Sequence, residues 1–229
     1  MSERHFDVSL RELKDKLLVM GGYVERAIEY ATQALIEFHP EKLKLVYDIE
    51  AQVNRLHKEI DEGCVNLLAL QQPMAADLRL IVAVLKISTD LERMGDHAVN
   101  IADNSGRYLN GPPLKPLIDL PKMATEVRAM VRMSLDAFVQ RAETLAREVL
   151  VREDLVDSLK NKIFKDVLEY IKSNTKDIEQ GLSLILIARN LERVGDHSTN
   201  IAEDVIYALT GEDIRHSPRG DGLKEVLKS

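Results

Sequence analysis

Apolar residues recur along this chain at alternating steps of three and four, the spacing of one face of an α-helix, over nearly its whole length. Leu10, Leu13, Leu17, Met20, Val24 and Ala27 open the pattern and predict a first helix over about Phe6–Phe38. Gly21-Gly22 either weakens that helix or lets another helix approach closely. His39-Pro40 ends it and places Pro40 to begin a second helix over about Glu41–Leu70, which would pack Leu45, Ile49, Val53, Leu56, Ile60, Val65 and Leu68. A QQPMAAD turn, with Pro73 suited to a first helical position, leads into a third helix over about Met74–Leu109. There Leu80, Val84, Ile87, Leu91, Met94, Ala98 and Ile101 form a heptad seam. Leu78, Ile81, Val82 and Leu85 make the first half of the same helix apolar on its other faces, as in a helix covered on several sides.

NGPPLKP, from Asn110 to Pro116, is a strong linker, and the pattern restarts after it. It predicts a fourth helix over about Leu120–Arg147, a fifth over Glu153–Lys172 and a sixth over Lys176–Leu209, stopped by Gly211. Short turns between long helices force antiparallel neighbours. The expected fold is all-α, a tandem repeat of two antiparallel three-helix bundles with helices of about 45 Å at 1.5 Å per residue. The first bundle would take residues 1–110, the linker 111–116 and the second bundle 117–210, with 211–229 a flexible tail. Periodicity leaves open whether the bundles sit end to end or side by side.

The division into halves rests on a repeat. DLERMGDHAVNI, from Asp90 to Ile101, returns as NLERVGDHSTNI from Asn190 to Ile201, with eight of twelve residues identical. VNRLHKEI at Val53–Ile60 likewise aligns with VDSLKNKI at Val156–Ile163. A repeat that only builds a core keeps its apolar positions and lets the polar ones drift. This one keeps Glu92/Glu192, Arg93/Arg193, Asp96/Asp196, His97/His197 and Asn100/Asn200, so it carries more than packing.

Composition narrows the picture. A 45% hydrophobic fraction with 4% aromatics and no Trp fits helices packed by Leu, Ile and Val. A formal charge of −7 argues against the basic surface that nucleic acid requires. One cysteine, Cys64, rules out an internal disulfide and reads as a buried structural thiol. No apolar run has the length of a signal peptide or a membrane span, so the expected location is cytoplasmic.

Glu92 and Asp96 lie four apart on one helix face, and Asp103 falls between them in azimuth; Glu192, Asp196 and Glu203 repeat the stripe. Both stripes point away from the heptad seam and hence outward from the bundle core. Stacked carboxylates repel by a few tenths of a kcal/mol, which water, a nearby arginine or a cation would offset. Their oxygens are hard ligands suited to Mg²⁺, Ca²⁺, Mn²⁺ and iron. Gly95 and Gly195, inside the helices, would permit close approach of another helix or a ligand. Supplementary acids stand on the neighbouring helices, Glu50 in one half and Glu153 with Asp157 in the other.

His97 and His197 lie about 140° around the helix from the glutamates, which favours an interfacial role over ligation. Di-iron helical bundles need Glu-x-x-His, and here glycine occupies that third place. No phosphate loop, zinc spacing or nucleophile elbow appears, so the chain reads as a non-enzyme. A carboxylate-bridged metalloenzyme and a purely structural bundle with a solvated acidic face are the alternative readings of the stripe.

The paired LER(M/V)GD motifs, QQPMAADLR before the first, IAEDVIYALTGEDIRH at the second, and the VN/VD-x-L step in the preceding helices resemble the PhoU family over nearly the whole chain. That resemblance implies tandem three-helix bundles and metal-binding E(D)xxxD motifs at Glu92/Asp96 and Glu192/Asp196. The metal would be a divalent or trivalent ion: iron, zinc, manganese or magnesium. Asn54 stands where the family often has Asp. The resemblance further implies a cytoplasmic, often dimeric regulator. Such a regulator associates with the phosphate ABC transporter and the phosphate-sensing histidine kinase and represses the phosphate-starvation response.

Overall fold

The structure is a computed structural model that describes residues 5–114 and 119–215. Six α-helices run through them: α1 His5–Ile36, α2 Lys42–Gln71, α3 Ala76–Leu109, α4 Asp119–Gln140, α5 Glu143–Ser173 and α6 Ile178–Thr210. A single 3-10 turn, Thr175–Asp177, precedes α6. The tail expected after residue 215 and linker residues 115 and 116 lie outside the described residues, as do 117 and 118 at the start of the second half.

Helix number and type match the periodicity, and several local expectations are revised. The fourth and fifth helices do not part near residues 147–153 but at Arg141-Ala142, where Arg141 takes φ 53° and the Ala142 N–H closes the turn on Ala137 O at 3.0 Å. Neither residue is Gly or Pro, and the apolar spacing runs through unbroken, so the break leaves no mark in the pattern. Pro40 and Pro73 both stand in the turns ahead of α2 and α3 rather than at their first positions. Gly21-Gly22 does not interrupt α1. Of the two alternatives for this pair the close approach holds: Gly21 faces α4, and a Cβ there would lie 2.1 Å from Leu135 Cδ1. Gly211 stops α6 as expected, with φ 79° and its N–H on Tyr207 O.

The α3 seam is the spine of the core. Val84, Ile87, Leu91, Met94, Ala98 and Ile101 are buried, and their counterparts Ile187, Leu191, Val194 and Ile201 do the same for α6. Each such side chain other than Ala98 contributes about 1.5–3 kcal/mol when fully buried, so the apolar members of the repeated motif are accounted for by packing. α3 is covered on three sides, by α1, α2 and α6. Cys64 is buried in the same core, and burial pushes its thiol up to about 12. Among the described residues no helix is long and apolar enough to cross a membrane.

The two bundles lie side by side. α3 crosses α6 antiparallel, and α1 meets α4 antiparallel. Glu29 pairs with Arg128 at 3.0 Å and Glu25 with Arg132 at 3.8 Å. A pseudo-dyad between the halves exchanges the positions of these two pairs but not their charges, since α1 supplies both acids and α4 both arginines.

Candidate functional site

The first carboxylate face lies along α3. Glu92 is half-buried and Asp96 exposed. Gly95, between them in azimuth and the core, is buried, and a Cβ there would lie 3.2 Å from Val53 Cγ1. Its missing side chain lets α2 close against the edge of the stripe, which is how a residue with poor helix propensity is retained in mid-helix. On α2, next to Val53, Asn54 donates through Nδ2 to Glu50 Oε1. Further along, Tyr47 donates its hydroxyl to Asp103 Oδ1 at 2.6 Å. That hydrogen bond, with burial and the aspartate charge, pushes the phenol up to about 12. Among the described residues Glu92 and Asp96 have no hydrogen-bond or ion-pair partner.

The second face is built differently. Lys160 of α5 sets Nζ 3.0 Å from Asp157 Oδ1 and 3.0 Å from Glu192 Oε1, bridging α5 to α6. Burial alone would lower its ammonium, but the hydrogen bonds to Glu192 and Asp157 outweigh burial and hold it above its ordinary value. Arg193 places Nη1 3.1 Å from Asp196 Oδ2 and Nε 3.8 Å from Glu192 Oε2. Burial and then the Glu192 charge push the Asp196 carboxyl up, against the pull of Arg193. At Gly195 the corresponding contact is looser, a Cβ there standing at an ordinary 3.4 Å from Val156 Cγ1. Glu153 stands on α5 one turn before Asp157, half-buried.

Donor chemistry separates the faces. The first offers, among the described residues, carboxylate oxygens with no protein cation attached, which fits a hard metal ion in kind. In the second, an ammonium already holds the oxygens that would ligate, and its residues do not fit a metal as they stand. Among the described residues no group of three carboxylate, His or Cys side chains converges into a ready coordination sphere.

The motif histidines point into the interface between bundles, as their azimuth predicts. His97 Nδ1 lies 2.9 Å from Asn190 Oδ1, and His197 Nδ1 lies 2.7 Å from Asp90 Oδ1, which also accepts from Asn200 Nδ2 at 3.3 Å. Both acceptors are oxygens, which assigns the Nδ1 proton to each ring. The rings themselves are 5.5 Å apart between centroids. Burial lowers the pKa of His97; the Asn190 hydrogen bond opposes that shift and the neighbouring His197 adds to it. Asp90 and Asn190 were not singled out from sequence. The signal was present, since Asp90/His97 and Asn190/His197 are each seven apart and therefore share a face.

Beside this crossing a cleft of about 380 Å³ is lined by Lys86, Thr89, Asp90, Arg93, Asn200, Glu203, Asp204 and Arg215. Glu203 thus borders the junction between bundles rather than extending the second stripe alone. Lys86 Nζ lies 2.7 Å from Asp204 Oδ1. Burial pushes the Asp204 carboxyl up, and the Lys86 hydrogen bond and charge act against that.

The family model described as "PhoU domain" matches residues 17–105 and 120–205, one copy in each bundle. The chain is 37% identical over 224 residues to the phosphate-specific transport system accessory protein PhoU homolog of Pseudomonas putida, spanning 97% of this chain and 86% of that one. It is 36% identical to the homolog of Aquifex aeolicus, over 90% of this chain and 94% of that one. The crystal structure of PhoU from Pseudomonas aeruginosa is similar with a TM-score of 0.88 at 35% identity, covering 91% of this chain and 100% of that chain. The phosphate transport system regulatory protein PhoU from Streptococcus pneumoniae gives 0.83 at 28% identity, over 91% and 99%.

Proposed function

The chain belongs to the PhoU family, and on that premise we propose that it is a non-enzymatic regulatory accessory protein of a phosphate-specific transport system. In the cytoplasm it associates with the phosphate ABC transporter and the phosphate-sensing histidine kinase and represses the phosphate-starvation response. The observation that carries this reading is the whole-chain match to accessory proteins, with both repeats included. The side-by-side packing supports it: two bundles locked by reciprocal pairs offer one rigid surface to a partner. The test is affinity capture from membranes of cells grown in high phosphate. Recovery of transporter ATPase and kinase subunits is the expected result, and capture of neither would overturn the reading.

The metal part of the proposal rests on the first face. Glu92 and Asp96 would hold a divalent or trivalent cation, which would supply the positive charge that the stripe lacks; Glu50 on the adjoining helix is a supplementary candidate. What favours it is that this face has no counter-cation among the described residues. Elemental analysis of protein purified without chelator checks it. Metal content should fall in Glu92→Ala/Asp96→Ala, and unchanged content would remove those residues as ligands.

A further inference from the structure

We infer that Lys160 is the resident cation of the second carboxylate face, and that it closes this face to the metal ions that the first face accepts. The inference rests on the metal reading of the first face only for the contrast; the closure itself is argued from the second face alone.

Geometry comes first. The Lys160 ammonium is equidistant, at 3.0 Å, from one oxygen of Asp157 and one of Glu192, which come from different helices. The ammonium thus takes up oxygens from both α5 and α6 that a metal ion on this face would need. Glu192 is 17% exposed and Lys160 27%, so water screens the bridge only in part. Arg193 completes the neutralisation by reaching both Glu192 and Asp196. Three carboxylates, Asp157, Glu192 and Asp196, therefore meet two fixed cations. A divalent ion entering there would have to expel an ammonium held on a covalent stem, and would meet the repulsion of Arg193 as it did so.

The first half shows what the second would be without this device. In the aligned segments VNRLHKEI and VDSLKNKI, Lys160 falls opposite His57 and Asp157 opposite Asn54. His57 lies beside Asp61, its Nε2 3.5 Å from Oδ2, and bridges no carboxylate of α3. Arg93 is exposed and makes no ion pair with Glu92 or Asp96 among the described residues, unlike Arg193 with their counterparts. The two faces thus share their motif and differ in their counter-charge. Lys160 is the residue that separates them, and its role is to exclude a ligand by occupying its place.

Titration of the full-length protein with Mn²⁺, read by the loss of the free-ion paramagnetic resonance signal, tests the assignment. Lys160→Met keeps the bulk of the stem and removes the charge; it should add about one Mn²⁺ per chain, bound at least ten-fold more tightly than anything at the wild-type second face. Lys160→Arg should add none. Circular dichroism confirms that each variant is folded. The gained ion should disappear again in Lys160→Met/Glu192→Ala/Asp196→Ala. No gain in Lys160→Met overturns the inference, and so does a wild-type stoichiometry that drops in Glu192→Ala/Asp196→Ala. If Glu92→Ala/Asp96→Ala loses no metal, the first-face reading fails by itself, and the Lys160→Met result still decides the closure.

Discussion

Asp90 of the first bundle accepts a hydrogen bond from His197 of the second at 2.7 Å, and the pseudo-dyad carries this pair onto Asn190 and His97 at 2.9 Å. The two acceptors differ in charge and agree in geometry. Both Asp90 and His197 are nearly covered, at 14% and 13% side-chain exposure. Asp90→Ala strands the His197 N–H and should cost about 1–3 kcal/mol in urea denaturation. Asp90→Asn reproduces the acceptor found at Asn190 and should cost well under half of that. Equal losses in the two variants would mean that charge, rather than the hydrogen bond, holds the crossing.

The other half of this crossing makes stability depend on pH. Burial, and then His197, keep the His97 imidazole below its ordinary value of 6.5. The unfolded chain therefore takes up this proton more readily than the folded one. The contribution is fully present above about pH 6.5 and is lost as pH falls through 6.5 towards the folded value. Asp96 and Arg193 also face the ring, the first easing its protonation and the second opposing it. Melting curves of wild type and His97→Gln between pH 7.5 and 5 isolate the effect by difference. The wild type should lose more on acidification, and parallel profiles would exclude His97 as the source.

Three glycines at helix–helix contacts should respond to alanine in a fixed order. A Cβ at Gly195 meets Val156 at an ordinary 3.4 Å, so Gly195→Ala should collect most of the helix-propensity gain of about 1 kcal/mol. At Gly95 the contact to Val53 is 3.2 Å and part of that gain is spent in displacing the valine. At Gly21 the methyl would stand 2.1 Å from Leu135 Cδ1, inside the packed α1–α4 contact, and Gly21→Ala should destabilise. Thermal melts of the three variants test the order.

Lys86 and Asp204 form a pair that the dyad does not repeat, because their counterparts are Leu186 and Asn104. Asp204 is only 9% exposed at its side chain and Lys86 37%, so removing the lysine charge strands a mostly buried carboxylate. Lys86→Leu should cost about 1–3 kcal/mol after allowing for the exposed end of the lysine. Lys86→Leu/Asp204→Asn copies the other half and should recover most of the loss, as a double-mutant cycle would show.

How much of this was legible beforehand follows from what each feature depends on. The α3 seam depends on spacing within one helix, and Val84 through Ile101 are buried as their heptad demands. The outward turn of Glu92 and the interfacial direction of His97 follow from the same arithmetic. The α4–α5 break was hidden because Arg141 adopts a left-handed conformation without being Gly or Asn. Side-by-side packing was hidden because its evidence lies in pairs such as Glu29–Arg128, about a hundred residues apart and drawn from two solvent-compatible side chains. The fate of the second stripe turned on Lys160, one ordinary charged residue on a charged helix, whose reach across to Glu192 only the packing of α5 on α6 reveals.

The pseudo-dyad has an evolutionary consequence. In a symmetric dimer of separate half-chains, every substitution lands twice, and opposite sites must stay identical. Fusion of the two copies into a single polypeptide lifts that constraint while keeping the reciprocal geometry. His57 can then stand opposite Lys160, and Leu186 with Asn104 opposite Lys86 with Asp204, each change inherited alone. A doubled scaffold of this kind retains the cohesion of a homodimer and gains two independently adjustable ends, so one half can change without altering the other.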